Sequence, residues 1–124
     1  MLRALIVEDN LIYREAFKTI LQDRLPSLVI AEAGSGEEAL QKINGAPPDV
    51  VFTDMRLPGM NGLELAQKLK NDSPCIWIAL VTSHDLREYR QAASQHGIER
   101  FFVKGSLDWK EIAEFVQFTP KNKQ

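Results

Sequence analysis

Apolar residues in this chain fall into short unbroken runs, separated by longer stretches in which they recur every three or four positions. The runs cover 4–7, 28–31, 50–52, 76–81 and 101–103. Several are β-branched and apolar on successive residues, the pattern of parallel strands covered on both faces. The stretches between them read as amphipathic helices. Tyr13, Phe17, Ile20, Leu21 and Leu25 keep a helical spacing behind Asn10, which is placed as an N-cap. Ser35 and Glu38 make a capping-box pattern ahead of Ala39, Leu40 and Ile43, and the Asn44, Gly45 pair is placed to stop that helix. Asn61 opens a third helix through Leu65, Ala66 and Leu69, which "NDSP" ends. Leu86, Tyr89 and Ala93 run toward Gly97, and Trp109, Ile112, Phe115 and Val116 form the last helix.

Five strand–helix units in a row predict an α/β fold with a parallel sheet and helices on both faces. The expected architecture is a flavodoxin-like (βα)5 doubly wound sheet with strand order 2-1-3-4-5. At 124 residues the chain is one domain, expected over 1–118, with 119–124 as a polar tail or linker stub. A net charge of −2 leaves no electrostatic footprint for nucleic acid or acidic lipid, so this chain alone is not expected to bind DNA. The single cysteine, Cys75, excludes an intrachain disulfide. No apolar run reaches membrane-spanning length, and acids at 8 and 9 come too early for a signal peptide. The expected setting is cytoplasmic, away from any membrane.

The first run ends in two adjacent carboxylates, Glu8 and Asp9. Asp54 ends the third run, Thr82 the fourth and Lys104 the fifth. In an open doubly wound sheet, ligands bind beyond the carboxyl ends of the strands at the topological switch point, between strands one and three for this order. The three carboxylates therefore converge there, with Thr82 and Lys104 flanking them. Three carboxylates and one ammonium leave a local charge of about −2, which one divalent cation cancels. Hard oxygen ligands favour Mg²⁺, whereas the lone cysteine and the dispersed His84 and His96 offer no zinc pattern. The first strand–helix turn lacks a glycine fingerprint, so it does not read as a site for a free dinucleotide.

The segments "VEDN", "TDMRLPGMNG", "LVTS" and "FFVKG" follow one another at appropriate intervals. No single one is specific, but the ordered set on predicted strand ends resembles the receiver domain of bacterial two-component response regulators over nearly the whole chain. The resemblance implies that Asp54 is a phosphoacceptor, taking its phosphoryl group from a sensor histidine kinase or a histidine phosphotransfer protein. It implies that Asp9 ligates Mg²⁺ directly and Glu8 mainly through water, with Asp54 and the backbone carbonyl of Arg56 completing the protein ligands. Lys104 and Thr82 would hold phosphoryl oxygens, and Thr82 with Phe101 would form the switch. Phe101 reads equally well as core. Arg56 and His84, each two residues beyond a phosphate-site residue, would set the lifetime of the aspartyl phosphate. Receivers commonly carry a cis-proline after the lysine; here Gly105 stands instead, and a cis bond without proline costs about 3–4 kcal/mol.

An alternative of another class is a Mg²⁺-dependent phosphohydrolase with an aspartyl nucleophile. Such enzymes place a second Asp two residues after the nucleophile, where this chain has Arg56, which cannot do acid/base work near neutral pH. The expectation is therefore a protein that catalyses only its own phosphorylation and dephosphorylation, not an enzyme acting on other substrates. The motifs most resemble receivers that precede a LuxR-type helix-turn-helix domain, which implies control of transcription by an output domain; a stand-alone receiver is the alternative. Phosphorylation is expected to drive homodimer formation or partner docking through the fourth helix, fifth strand and last helix. There Arg87, Arg90 and Arg100 are expected to pair with Glu111 and Glu114.

Overall fold

The structure, a computed structural model, describes residues 2–120. Successive side chains of β1 (Arg3–Val7) point to opposite faces, yet Ala4 to Val7 are all buried, so both faces of this strand are covered. The same holds for β3 (Val50–Thr53), and β4 (Trp77–Thr82) is buried beyond its first residue. These three are the centre of a five-stranded parallel sheet with order β2-β1-β3-β4-β5, as expected. The edges are β2 (Val29–Ala33) and β5 (Arg100–Val103).

Helices α1 (Leu11–Arg24) and α5 (Trp109–Gln117) cover one face of the sheet. Phe17, Leu21, Ile112, Phe115 and Val116 pack there on Ala4, Ile6, Phe52, Ala79 and Val81. The other face carries α2 (Gly36–Gly45), α3 (Gly62–Asp72) and α4 (Arg87–Gln95) over Leu5, Val7, Val51, Ile78 and Leu80. Burying both faces of the central strands is what makes their sequences continuously apolar.

The caps follow local chemistry, with some differences from expectation. Asn10 accepts the Tyr13 N–H at 3.0 Å, and Asn61 and Glu64 form a complete reciprocal box at the start of α3. Ser35 caps α2 through the Glu38 N–H, but the Glu38 carboxylate reaches back to Gly34 rather than to the Ser35 amide. Gly45 is the last residue of α2 rather than a left-handed cap, and Ala46 ends the helix in an extended conformation. Gly97, with φ of 71°, does terminate α4, because Ile98 N–H bonds to Ala93 O and Gly97 N–H to Ser94 O.

Two boundaries move. The second strand occupies Val29–Ala33 instead of 28–31, since pairing with β1 sets its register (Arg3 opposite Val29) and carries Glu32 into the strand. Thr119, assigned to the tail, is 1% exposed, so packing continues past 118. The rest of the tail beyond Pro120, including the basic pair Lys121 and Lys123, lies outside the described residues. Among those described, no helix is long and apolar enough to cross a membrane.

Candidate functional site

Register alone brings the acids together. Val7 of β1 pairs with Thr53 of β3, so the next residues, Glu8 and Asp54, emerge side by side at the carboxyl edge. Both stay in the ladder: Glu8 N–H bonds to Ala33 O at 3.0 Å, and Asp54 N–H to Val7 O at 3.1 Å. Thr82 pairs with Val103, which puts Lys104 just beyond them on the same edge. Carboxylate oxygens of Glu8, Asp9 and Asp54 all lie within 4.8 Å of one another.

Lys104 sits among them. Its Nζ donates to Glu8 Oε1 at 2.5 Å and to Asp54 Oδ2 at 2.9 Å, and its side chain is 17% exposed. Burial works against its charge, but the hydrogen bonds it donates to both carboxylates outweigh that and hold its pKa above the ordinary lysine value. Glu8 is 4% exposed, and burial pushes its carboxyl upward against the opposing bonds from Lys104 and the Asn10 N–H. Asp54 Oδ1 accepts the Arg56 N–H at 3.3 Å. Asp9 is exposed, on the open side of the cluster. The arrangement is a solvent-facing set of hard oxygens around one fixed ammonium, and it could hold a metal ion.

Around this centre, Thr82 is fully buried and its hydroxyl accepts the His84 N–H at 3.2 Å, while the His84 ring nitrogen lies 3.2 Å from Ser83 Oγ. Phe101 is half-buried under the Arg90 guanidinium, 4.6 Å from its ring centroid. Arg56 is exposed and its side chain leans onto α4, donating to the Tyr89 hydroxyl at 3.4 Å. Gly105 lies in a single 3-10 turn (Lys104–Ser106), and all peptide bonds among the described residues are trans. The lysine is aimed without a cis bond.

The expected pairing of charges on the α4–β5–α5 face is only partly met. Arg100 does bond Glu111 at 2.9 Å, but Arg90 bonds Asp85 at 2.5 Å, five residues earlier, instead of an acid of α5. The short sequence separation makes that local pair easier to form.

Two site residues were missed in the sequence. Tyr13 packs its ring against the Lys104 ammonium, and Arg14 donates to the Glu8 carbonyl at 2.8 Å while bonding Glu32 on β2. Their signal was positional. They stand on the first turn of a helix capped by Asn10, immediately after the acids, and a first turn there must overhang the strand end.

A flavodoxin-like sheet with an acid cluster and a lysine at its switch point defines a phosphoryl- or metal-handling α/β domain. The model of the response regulator receiver domain matches residues 4–117. Response regulator GacA of Pseudomonas viridiflava is 34% identical over 117 residues, covering 94% of this chain and 53% of that protein. The crystal structure of TrrA from Thermotoga maritima, in complex with Mg²⁺–BeF, is 33% identical, with a TM-score of 0.82 over 94% of this chain and 97% of that one. The receiver domain of NarL from Mycobacterium tuberculosis is 30% identical with a TM-score of 0.82, covering 93% and 92% of the two chains. The chain belongs to the family of response-regulator receiver domains of two-component systems. It spans about half the length of GacA, at 53%.

Proposed function

We propose that Asp54 is the phosphoacceptor of this receiver. The observation that carries the reading is the Lys104 ammonium, bonded at once to Asp54 and Glu8 at the switch point. A carboxylate oxygen of Asp54 forms the new bond to phosphorus, the P–N bond of a phosphohistidine breaks, and its electron pair leaves on the imidazole. The donor is a sensor histidine kinase or a histidine phosphotransfer protein. Lys104 then turns from the carboxylate to a phosphoryl oxygen, and the Thr82 hydroxyl exchanges the His84 amide for another. Such transfer needs positioning and charge neutralisation more than bond-making groups.

The donor set of hard oxygens fits Mg²⁺, the ion named with TrrA. Asp9, Asp54 and the Arg56 carbonyl would hold it directly and Glu8 through water. The ion would neutralise charge on the phosphoryl oxygens. Arg56 and His84, two residues beyond Asp54 and Thr82, offer no carboxylate or amide to align water, which supports a long-lived mark and argues against a phosphohydrolase. Phosphorylation would be relayed through Thr82 and Phe101 to the α4–β5–α5 face. The length of the relatives supports an output domain in the full protein, and similarity to the transcriptional regulatory protein YesN of Bacillus subtilis supports control of transcription as its role.

Treatment with acetyl phosphate and Mg²⁺, quenched in acid and read by intact mass, tests the reading. One phosphoryl group is expected on the wild type and none on Asp54→Asn. Equal labelling of the two would overturn it, and sustained phosphate release in place of one-time labelling would favour the hydrolase.

A further inference from the structure

We infer that Tyr13 is a positioning residue for Lys104, its ring face holding the ammonium over the Glu8–Asp54 pair. The inference rests on the reading that Asp54 is phosphorylated. Lys104 Nζ lies 4.3 Å from the Tyr13 ring centroid, well inside the roughly 6 Å reach of a cation–π contact. The ring is itself fixed. Its backbone N–H is the one that Asn10 caps, and its face meets Phe17 at 6.3 Å. Phe17 in turn lies 5.2 Å from Phe52 of β3 and 4.9 Å from Trp109 of α5. An aromatic row thus ties the ring to the strand that carries Asp54.

The hydroxyl is not the working part. It is buried and has no hydrogen-bond partner among the described residues, whereas buried tyrosine hydroxyls usually have one. The face of the ring remains.

Lys104 needs such a support for two reasons. Its stem begins a single turn whose next two residues, Gly105 and Ser106, are exposed, and among the described residues apart from its chain neighbours nothing lies within 4 Å of where a Gly105 side chain would start. The turn is open on that side, and the flexible four-carbon side chain is aimed from its charged end. Of the two carboxylates that do this, Asp54 would become an acyl phosphate in the proposed reaction, and Glu8 would be shared with a bound cation. Of these three partners, the ring is the one that neither the phosphoryl group nor a cation would engage.

Proton NMR of Lys104 and phosphorylation kinetics with phosphoramidate and Mg²⁺ test this on the wild type, Tyr13→Phe and Tyr13→Leu. In the wild type without donor, the Lys104 ε-methylene protons should be shifted upfield by the ring current. Tyr13→Phe should keep both that shift and the rate. Tyr13→Leu should lose the shift and label about tenfold more slowly, the rate equivalent of one partly desolvated contact of this kind. An unshifted wild-type ε-methylene overturns the inference without recourse to any variant. Equal losses in the Phe and Leu variants would assign the effect to the hydroxyl and also overturn it. If instead the wild type fails to label at Asp54 while the ring-current shift is present, the phosphoacceptor reading is what fails.

Discussion

A methyl group on Gly62 would lie 1.8 Å from the Asp54 carbonyl oxygen and 3.0 Å from Met55 Cα. Both contacts are with backbone, which cannot swing aside, so the loop after Asp54 closes only over glycine. Gly62→Ala should cost at least about 3 kcal/mol by urea denaturation and displace Asp54 from Lys104. A variant as stable as the wild type would show that the loop can move away. Residues of this kind divide by how they can be read. Glu8, Asp9, Asp54, Thr82 and Lys104 were legible because apolar runs announce strand ends, and the switch-point rule gathers those ends. The steric role of Gly62, the first residue of α3, depends on how closely that helix folds back on Asp54. Tyr13 was read as helix core because spacing does not distinguish a ring on leucines from a ring on an ammonium.

At the scale of elements, α1 and β2 are joined through Glu32, which accepts from Arg14 at 3.2 Å and from Lys18 at 3.0 Å. Burial alone would raise the Glu32 carboxyl, but these two bonds outweigh it and hold the pKa below the ordinary glutamate value. The folded state therefore binds this proton less readily than the unfolded chain. The stability from the pairing is complete above the ordinary glutamate pKa, and it is lost as pH falls through the lowered folded value. Glu32→Gln should be less stable than the wild type near neutrality by under about 1 kcal/mol, because the group is partly exposed. The gap should close in acid; denaturation curves at several pH values would refute this if it widened there. The same strand shows why element boundaries were less legible than elements. β2 has a neighbour on one side alone, so exposure alternates along it and Glu32 is tolerated, which ended the apolar run early. For the centre of the sheet, burial on both faces made pattern and strand coincide.

For the molecule as a whole, the site and the α4–β5–α5 face are joined through one sheet, since Lys104 directly follows β5. Leu86, before α4, and Phe118, after α5, are 41% and 54% exposed, and the two side chains of the Arg100–Glu111 pair between β5 and α5 are each 46% exposed. Ion pairs so open contribute little within one chain and can exchange partners at an interface. Sedimentation with beryllofluoride and Mg²⁺ should show self-association that is absent without them and weakened by salt; an unchanged monomer would remove the dimer from the account. With a net charge of −2, the same sample should not shift DNA at physiological salt. All of this depends on where the phosphoryl group resides. Borohydride reduction of the phosphorylated chain, followed by peptide mapping, reads that directly, because an aspartyl phosphate becomes homoserine. Homoserine is expected at position 54, with unmodified acids at 8 and 9; homoserine at position 9, with Asp54 intact, would contradict phosphorylation of Asp54.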